Sequence, residues 1–471
     1  MTRYFGTDGV RGIANRELTC EMAFTLGRAA VELLGSRLVI GRDTRRSGPM
    51  LEAALVAGIT SVGGDALLAG IIPTPAVALL TRELAASGGV VISASHNPPE
   101  YNGIKFFDAE GFKLTAELEN AFEERLQEQQ RAQQAQQSQQ APQPQPQTSS
   151  FAQLPTGAAV GTVVLLEDAN ERYIAHAMDI VRLQGFDLTG MVVAVDCGHG
   201  ASFLTTPEAL RRLGAEVATI NTDYDGNNIN VACGSTHLDQ LKALVVKTGA
   251  AVGIAHDGDA DRMLAVDEMG NELDGDYIEA ICALSLKEQG RLSHDTVVST
   301  VLCNCGFVTA MRENGIQVVQ TDVGDSHVLA AMKEGGFVLG GEQSGHMILF
   351  EHNSTGDGLA TALQLLVTMK RTRGPLSQLA HVMVRYPQVL INSKVTSKDG
   401  IDSSISICQA IEEATMRLGE QGRVLLRPSG TEPLVRIMVE AANEQVARDE
   451  AKHLAALVEQ EFGVGQEDGA V

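Results

Sequence analysis

The sequence lacks the features that mark membrane, secreted and nucleic-acid-binding proteins. Its 471 residues contain no apolar stretch long enough to span a bilayer, and the first residues form no apolar signal region. The seven cysteines are odd in number and include no CxxC pair, so reduced thiols are expected and a zinc site is disfavoured. Positive charge is scarce, because 36 Lys and Arg face 59 Asp and Glu, and the net charge of −23 would repel nucleic acid and anionic membranes. We therefore expect a cytoplasmic protein without nucleic-acid or membrane partners.

The hydrophobic pattern predicts several α/β domains. The chain is too long for a single core. A strand–helix–strand unit recurs three times, at residues 38–68, 192–220 and 297–319, which is typical of parallel α/β domains. From residue 375 the order changes to strand, helix, two strands and a final helix. The predicted fold class is α/β: three related α/β domains with mixed or parallel sheets, plus a smaller C-terminal α+β domain, around a central cleft.

Composition and motif positions together predict the domain borders. The Gln- and Pro-rich segment 127–153 cannot bury enough apolar surface to fold, so we interpret it as a disordered insert whose first part can extend the preceding helix. The predicted α/β domains are 1–126, 154–253 and 254–372, the C-terminal domain is 373–463 and the tail is 464–471.

Three carboxylates alternate along residues 257–262 (Asp-Gly-Asp-Ala-Asp-Arg), and a cation follows them at once. Like charges this close repel one another unless a cation shares them, and carboxylate oxygens suit Mg²⁺. An EF-hand loop requires Gly at its sixth position, where this sequence has Arg262, so the pattern does not favour that loop. The spacing predicts a Mg²⁺ site at Asp257, Asp259 and Asp261, with a solvated acidic turn as the structural alternative.

A hydroxyl-rich motif follows the strand predicted at residues 89–92. Residues 93–98 are Ser-Ala-Ser-His-Asn-Pro, and they lie at the carboxyl end of that strand, where ligands of parallel α/β sheets bind. A serine here can be a nucleophile or a phosphate carrier, and the nearby Lys105 can stabilise a transferring phosphoryl group or take part in proton transfer. The alternative is an ordinary Asn-Pro turn capped by hydroxyls.

Two later loops have residues suited to a sugar phosphate. Residues 427–432 (Arg-Pro-Ser-Gly-Thr-Glu) join two predicted strands and Arg436 follows, so hydroxyls and guanidinium groups favour a phosphate site over a plain hairpin. Residues 340–346 (Gly-Gly-Glu-Gln-Ser-Gly-His) end another strand, and Glu342 and Ser344 can hydrogen-bond sugar hydroxyls. A Gly-rich turn with an exposed Glu is the alternative for this second loop.

Five motifs occur in the order that one enzyme family has. In chain order they lie at residues 7–12 (Thr-Asp-Gly-Val-Arg-Gly), 93–98, 257–262, 341–346 and 427–433. Together they resemble the motifs of the α-D-phosphohexomutases, and the resemblance covers nearly the whole chain. Residues 4–12, 341–346 and 354–358 are similar to the bacterial phosphoglucosamine mutase branch of that superfamily. Each motif alone is weak, but five in the correct order are specific.

The resemblance implies a role for each motif. Ser95 is implied to be the phosphoserine that donates and recovers the phosphoryl group. One Mg²⁺ per subunit is implied at Ser95, Asp257, Asp259 and Asp261. The groups implied to surround the transferring phosphoryl are Arg11, His96, Lys105 and Arg262. Contact with the sugar is implied for Glu342, Ser344 and His346, and contact with the non-reacting phosphate for Arg427, Ser429, Gly430, Thr431 and Arg436.

The implied reaction converts glucosamine 6-phosphate to glucosamine 1-phosphate through a bisphosphorylated sugar and feeds UDP-N-acetylglucosamine synthesis. A hexose or hexosamine 1,6-bisphosphate is the expected activator, and a homodimer is among the open oligomeric states. Three other functions stay open: a mutase of glucose or mannose phosphates, a metal-dependent phosphatase with Asp257 or Asp259 as nucleophile, and a non-catalytic sugar-phosphate sensor.

The sequence departs from that branch at three places. Ser326 and His327 stand where Arg and Tyr are usual, so a cation is missing near the expected sugar-binding cleft. His256 precedes the acidic motif where Phe is typical, and Gly198-His199 replaces Ala-Asn. The first departure bears on substrate preference and rate more than on the class of reaction.

Overall fold

The computed structural model describes residues 4–6, 8–137, 154–429 and 433–463. The chain divides into two compact units. Unit 1 is Met1–Leu302 with Ile316–His381, and unit 2 is Cys303–Gly315 with Val382–Val471. No helix among the described residues is long and apolar enough to cross a bilayer.

The first sheet of unit 1 has seven strands in the order β1-β2-β6-β5-β3-β4-β7. These are β1 (Phe5–Gly6), β2 (Gly9–Ile13), β3 (Arg37–Arg42), β4 (Asp65–Ile71), β5 (Gly88–Ile92), β6 (Tyr101–Phe107) and β7 (Val163–Leu165). Its helices are α1 (Cys20–Leu33), α2 (Gly48–Ser61), α3 (Thr74–Glu83) and α4 (Ala116–Gln137). Strand β3 runs parallel to β4 and β5, whereas β6 returns antiparallel to β5. Helices α1 and α2 pack closely because Gly27 and Gly58 have no Cβ, and one added at Gly58 would lie 2.1 Å from the Phe24 carbonyl oxygen.

The second sheet of unit 1 has five strands in the order β12-β11-β10-β8-β9. These are β8 (Val192–Asp196), β9 (Glu216–Ile220), β10 (Val252–His256), β11 (Met263–Asp267) and β12 (Glu272–Leu273). Its helices are α5 (Ala169–Arg182), α6 (Ser202–Arg212) and α7 (Asp239–Thr248). Strands β10 and β11 form an antiparallel hairpin whose turn is the acidic motif.

The third sheet of unit 1 has four strands in the order β14-β13-β15-β16. These are β13 (Thr296–Thr300), β14 (Gln317–Thr321), β15 (Leu339–Gly341) and β16 (Met347–Leu349). The neighbouring helices of unit 1 are α8 (Gly275–Glu288), α10 (Asp325–Gly335), α11 (Gly358–Thr372) and α12 (Leu376–Leu379). Asp357 caps α11, because its carboxylate accepts from the Ala360 N–H at 2.9 Å.

Unit 2 contains a three-stranded antiparallel sheet in the order β17-β19-β18. Its elements are α9 (Cys305–Glu313), β17 (Gln388–Lys394), α13 (Ile405–Leu418), β18 (Gly422–Pro428), β19 (Leu434–Ala441) and α14 (Glu444–Phe462). The buried carboxylate of Glu440 accepts from the Cys305 N–H at 2.9 Å, which fastens the start of α9 to this sheet.

These elements confirm the predicted fold class, and all three recurring units are parallel strand pairs. The border predicted between residues 253 and 254 is wrong, because it cuts β10; the acidic motif belongs to the second sheet and not to the third. Helix α4 reaches Gln137, so the first part of the Gln-rich segment does extend the helix. The rest of that segment, 138–153, and the tail from residue 464 lie outside the described residues.

Candidate active site

The acidic motif folds into a buried turn that gathers its three carboxylates. Asp257, Asp259 and Asp261 are at most 3% exposed, and one oxygen of each lies within 4.8 Å of the others. Burial raises the pKa of Asp257 well above its usual value, and the charges of Asp261 and Asp259 raise it further. The turn is therefore an internal cluster of repelling acids, and the predicted alternative of a solvated turn is wrong.

This cluster fits a hard divalent cation. The Oδ1 atoms of Asp259 and Asp261 are buried and have no hydrogen-bond partner among the described residues. Carboxylate oxygens that a protein leaves unpartnered in its interior are costly unless an ion binds them, and oxygen donors are the ligands of Mg²⁺. Within the described ranges, it is the one group of three or more acidic, His or Cys side chains close enough to share a metal ion.

Ser95 lies against this cluster. It follows β5 in a left-handed conformation, with φ of 49°, and its side chain is buried. Its hydroxyl donates a hydrogen bond to Asp257 Oδ2 at 2.6 Å, and its backbone N–H donates to Ser93 Oγ at 2.9 Å. A positive φ is rare for a side-chain-bearing residue and is maintained only where the surroundings hold it. The loop thus presents the Ser95 hydroxyl to the acidic turn.

A buried arginine that sequence reasoning missed holds this loop in place. Arg45 lies just after β3, and its guanidinium donates to the backbone oxygens of Ser95, Asn97, Pro98 and Tyr101. It also pairs with Asp43 at 2.9 Å, and both side chains are fully buried. The position of Arg45 in the sequence could have indicated this role, because it follows a parallel strand at the same sheet edge as the Ser95 loop.

Cations surround the Ser95 loop and the acidic turn. Lys105 is buried, and its Nζ is 2.8 Å from Asp259 Oδ2 and 2.8 Å from Asp8 Oδ2. Burial alone would lower the pKa of Lys105, but Asp259 and Asp8 outweigh it and raise that pKa above its ordinary value. Asp8 also pairs with Arg11. Asp8 is a second residue that sequence reasoning did not single out, although it lies in the first motif.

The two remaining groups predicted here differ in charge. Burial, with the nearby Arg262 and Arg11, lowers the pKa of His96 to about 4, so its ring is neutral at pH 7. Its Nδ1 is 3.4 Å from Ser95 Oγ. The acids of the turn raise the pKa of Arg262 despite its burial. Of the groups predicted to surround the phosphoryl, Arg11, Lys105 and Arg262 are therefore cations at pH 7, whereas His96 is neutral.

Another turn follows β15 and holds the residues predicted to contact a sugar. Glu342 accepts from the Gly324 N–H and from the Ser344 hydroxyl, each at 3.2 Å, and both side chains are partly exposed. His346 is buried with Nδ1 3.6 Å from Asp261 Oδ2. Its Nε2 accepts from the Gly356 N–H at 3.2 Å. Burial alone would lower the pKa of His346, but Asp261 and Asp325 outweigh it and raise that pKa above its ordinary value. All three residues therefore belong to the same unit as Ser95.

Two of the departures from the expected motifs have clear structural settings. His256 is fully buried, contacts Thr206 Oγ1 and the Arg262 backbone oxygen at 3.0 Å each, and so supports the acidic turn from behind. Ser326 and His327 are exposed in the first turn of α10. Both side chains therefore lie on the surface of α10.

The predicted phosphate site lies in unit 2. Arg427 and Arg436 are directly opposite in the β18–β19 pair, and both are exposed. Like charges placed opposite each other on a sheet repel each other, and an anion bound between them would relieve that repulsion. Ser429 is buried, and its backbone oxygen accepts from Lys398 Nζ at 2.7 Å. Gly430 and Thr431 lie outside the described residues.

Comparison with known proteins gives matches along the chain. Four models of the phosphoglucomutase/phosphomannomutase family match: alpha/beta/alpha domain I at residues 2–133, domain II at 171–270, domain III at 274–386 and the C-terminal domain at 390–457. The phosphoglucosamine mutase of Clostridium acetobutylicum is 49% identical over 98% of this chain and 99% of its own length. That of Streptomyces griseus is 49% identical over 98% of this chain and 100% of its own.

Solved structures show the same fold at lower identity. A phosphoglucomutase/phosphomannomutase family protein from Burkholderia thailandensis has a TM-score of 0.79 at 24% identity and covers 97% of this chain and 98% of its own. N-acetylphosphoglucosamine mutase from Aspergillus fumigatus, solved with GlcNAc-6P and magnesium, has a TM-score of 0.68 at 18% identity, over 98% of this chain and 96% of its own.

Proposed function

The chain belongs to the phosphoglucomutase/phosphomannomutase family, and we propose that it is a phosphoglucosamine mutase, an isomerase that interconverts glucosamine 6-phosphate and glucosamine 1-phosphate. The observation that carries this proposal is the 2.6 Å contact between the Ser95 hydroxyl and Asp257, within a buried cluster of three carboxylates next to Lys105. A serine that carries a phosphoryl group needs its hydroxyl beside a group that can neutralise the phosphate, such as a bound cation.

In the proposed reaction, Ser95 carries the phosphoryl group between the two ends of the sugar. The hydroxyl of the bound sugar phosphate attacks phospho-Ser95, the bond from phosphorus to Ser95 Oγ breaks, and a sugar bisphosphate forms. The bisphosphate then turns over, and its other phosphate returns to Ser95, which leaves the isomeric product. Phosphoryl transfer depends mainly on positioning and neutralisation of charge, which Arg11, Lys105 and Arg262 supply.

The proton of the attacking hydroxyl needs an acceptor near Ser95. The raised pKa keeps Lys105 charged at neutral pH, so we assign it a cationic role. His96 is neutral at pH 7, and its Nδ1 lies 3.4 Å from Ser95 Oγ in the unphosphorylated protein. We therefore assign proton exchange with the reacting oxygens to His96.

We assign Mg²⁺ to Asp257, Asp259 and Asp261, with a phosphate oxygen of phospho-Ser95 as a further ligand. When bound, the ion would neutralise charge on the transferring phosphoryl group. The Oδ1 atoms of Asp259 and Asp261, which accept no hydrogen bond from the described part of the chain, support this assignment. A phosphatase with Asp257 or Asp259 as nucleophile is less well supported, because Ser95 would then have no role and Asp259 Oδ2 already accepts from Thr74 and Lys105.

The sugar and its distal phosphate would be recognised by different loops. We assign the sugar hydroxyls to Glu342, Ser344 and His346. We assign the non-reacting phosphate to Arg427, Ser429 and Arg436, together with Gly430 and Thr431. The facing guanidinium groups of Arg427 and Arg436 support this second assignment.

The wider setting is part of the same proposal. The product would enter UDP-N-acetylglucosamine synthesis in the cytoplasm, and a hexose or hexosamine 1,6-bisphosphate would phosphorylate Ser95 to start turnover. Glucose and mannose phosphates are the alternative substrates within the family. Specificity constants for the three sugar phosphates decide between them, and a higher constant for glucose or mannose phosphate would refute the glucosamine assignment.

Peptide mass spectrometry tests the carrier. The protein is incubated with Mg²⁺ and glucose 1,6-bisphosphate, digested and searched for a phosphate on Ser95, with Ser95→Ala as the matched control. We expect phosphate on Ser95 in the wild type and loss of most mutase turnover in the variant. An unmodified Ser95 in folded protein, or near wild-type turnover by Ser95→Ala, would refute the mechanism.

A further inference from the structure

A turn between the first and third sheets contains a largely buried lysine, Lys113, whose side chain is 13% exposed and to which the mechanism gives no role. The 108–113 turn follows β6, and the Asp108 N–H donates to the Phe112 carbonyl at 2.8 Å. The turn reaches the third sheet of unit 1, because the Phe112 ring stacks on Phe350 with centroids 6.0 Å apart. Lys333 Nζ of α10 lies 3.8 Å from the same ring centroid. Phe112 is partly buried and packs against the hydrophobic core of the third sheet, which anchors the turn that contains Lys113.

Lys113 joins two acids that belong to different parts of the site. Its Nζ is 2.5 Å from Asp8 Oδ1, and it forms a second ion pair with Asp325 at the start of α10. Asp8 in turn holds Arg11 and Lys105, two of the cations assigned to phosphoryl transfer.

The second acid leads to the sugar-contacting turn. Asp325 Oδ2 lies 3.5 Å from His346 Nε2. The residue before it, Gly324, donates its N–H to Glu342 Oε1 at 3.2 Å. Asp325 therefore lies between Lys113 and the two side chains assigned to the sugar, Glu342 and His346.

The free energy of placing the Lys113 ammonium in this position depends on its ion pairs. A buried ammonium is costly unless it is paired and hydrogen-bonded, and removal of one partner leaves the others as unpaired buried charges. Burial alone would lower the pKa of Lys113, but Asp325 and Asp8 outweigh it and raise that pKa, so the side chain stays charged. Without Lys113, Asp325 would lose its ammonium partner, whereas Asp8 would keep Arg11 and Lys105.

We propose that Lys113 is a positioning residue that, through Asp8 and Asp325, holds the sugar-contacting turn in register with the phosphoryl-transfer cations. The inference rests on the proposed function and extends it to a residue outside the motifs. Displacement of reacting groups by about 1 Å costs about 100-fold in rate. A loss of Lys113 therefore acts on the transfer between Ser95 and the sugar, and less on chemistry that does not use the sugar.

The test compares Lys113→Met with Lys370→Met, which removes a lysine of unit 1 whose ammonium donates to the Thr189 backbone oxygen at 2.7 Å. We expect Lys113→Met to lower kcat/KM for glucosamine 6-phosphate by about 100-fold. Lys370→Met should stay near wild type. The rate at which water hydrolyses phospho-Ser95, which needs no sugar contact, should change much less in Lys113→Met. Thermal unfolding verifies that both variants are folded.

A double-variant cycle with Asp325→Asn identifies the route. If Lys113 acts through Asp325, the double variant loses little more than either single variant, and Lys113→Arg restores part of the rate. Additive losses, unchanged kcat/KM in Lys113→Met, or an equal fall in turnover and phosphoserine hydrolysis would each overturn the inference. Wild-type protein without mutase turnover would instead refute the proposed function, so the two failures are distinguishable.

Discussion

Glu279 is a buried acid beneath the sugar-contacting turn, and it should make the stability of unit 1 depend on pH. It lies on α8 with no exposed surface, and a Cβ added to Gly341 would be 3.5 Å from its Oε2. Burial raises its pKa well above the usual 4.5, and the charge of Asp276 raises it further. The folded protein therefore keeps this proton at pH values where the unfolded chain has lost it, so the free energy of unfolding falls as pH rises above 4.5.

The substitution Glu279→Gln keeps the shape of the side chain but cannot ionise. Relative to the variant, the wild type should lose about 1.4 kcal/mol of stability per pH unit above 4.5, until the folded pKa is passed. Urea unfolding of both proteins at several pH values between 5 and 8 measures this gap. Glu288→Gln, at the exposed end of the same helix, is the matched control. A gap between wild type and Glu279→Gln that stays constant across this range would refute the reasoning.

Three further predictions concern the site. In Arg45→Lys, the lysine cannot make the forked contacts that the guanidinium makes with Ser95 and Asp43. We expect a loss of about 3–5 kcal/mol in the free energy of unfolding and less phosphorylation of Ser95. An unchanged melting temperature would contradict this. Asp259→Asn should weaken Mg²⁺ binding by at least about tenfold, as measured by calorimetry. A chelator of divalent cations should stop turnover by the wild type. Equal Mg²⁺ affinity in both proteins would exclude this carboxylate as a ligand. Arg436→Gln should raise KM by about tenfold with a smaller effect on kcat. The control Arg448→Gln, on α14 of unit 2, should leave both constants unchanged. An equal response of the two variants would argue against the phosphate site.

Local patterns in the sequence were sufficient for the fold class and for the chemistry of the motifs. Alternation of apolar strands and helices predicts parallel units because each strand and helix must bury one face. The alternating acids at 257–262 predict a cation site because like charges must be neutralised wherever the turn is buried. Ser95 could be predicted to lie near a ligand because it follows a parallel strand, which is a property of topology rather than of distant contacts.

Tertiary structure alone decided which side chains meet. Lys105 and Asp259 are 154 positions apart, and Lys113 and Asp325 are 212 apart, so nothing in the local sequence marks either pair. The sequence also placed the acidic motif in the wrong sheet. The local pattern of an apolar strand such as β11 does not fix its neighbours, and its hydrogen bonds to β10 and β12 place it in the second sheet. Residue types and their spacing determined what the site can do. The packing of three sheets decided the partner and the charge of each group in it, because burial and neighbouring charges are properties of the folded chain.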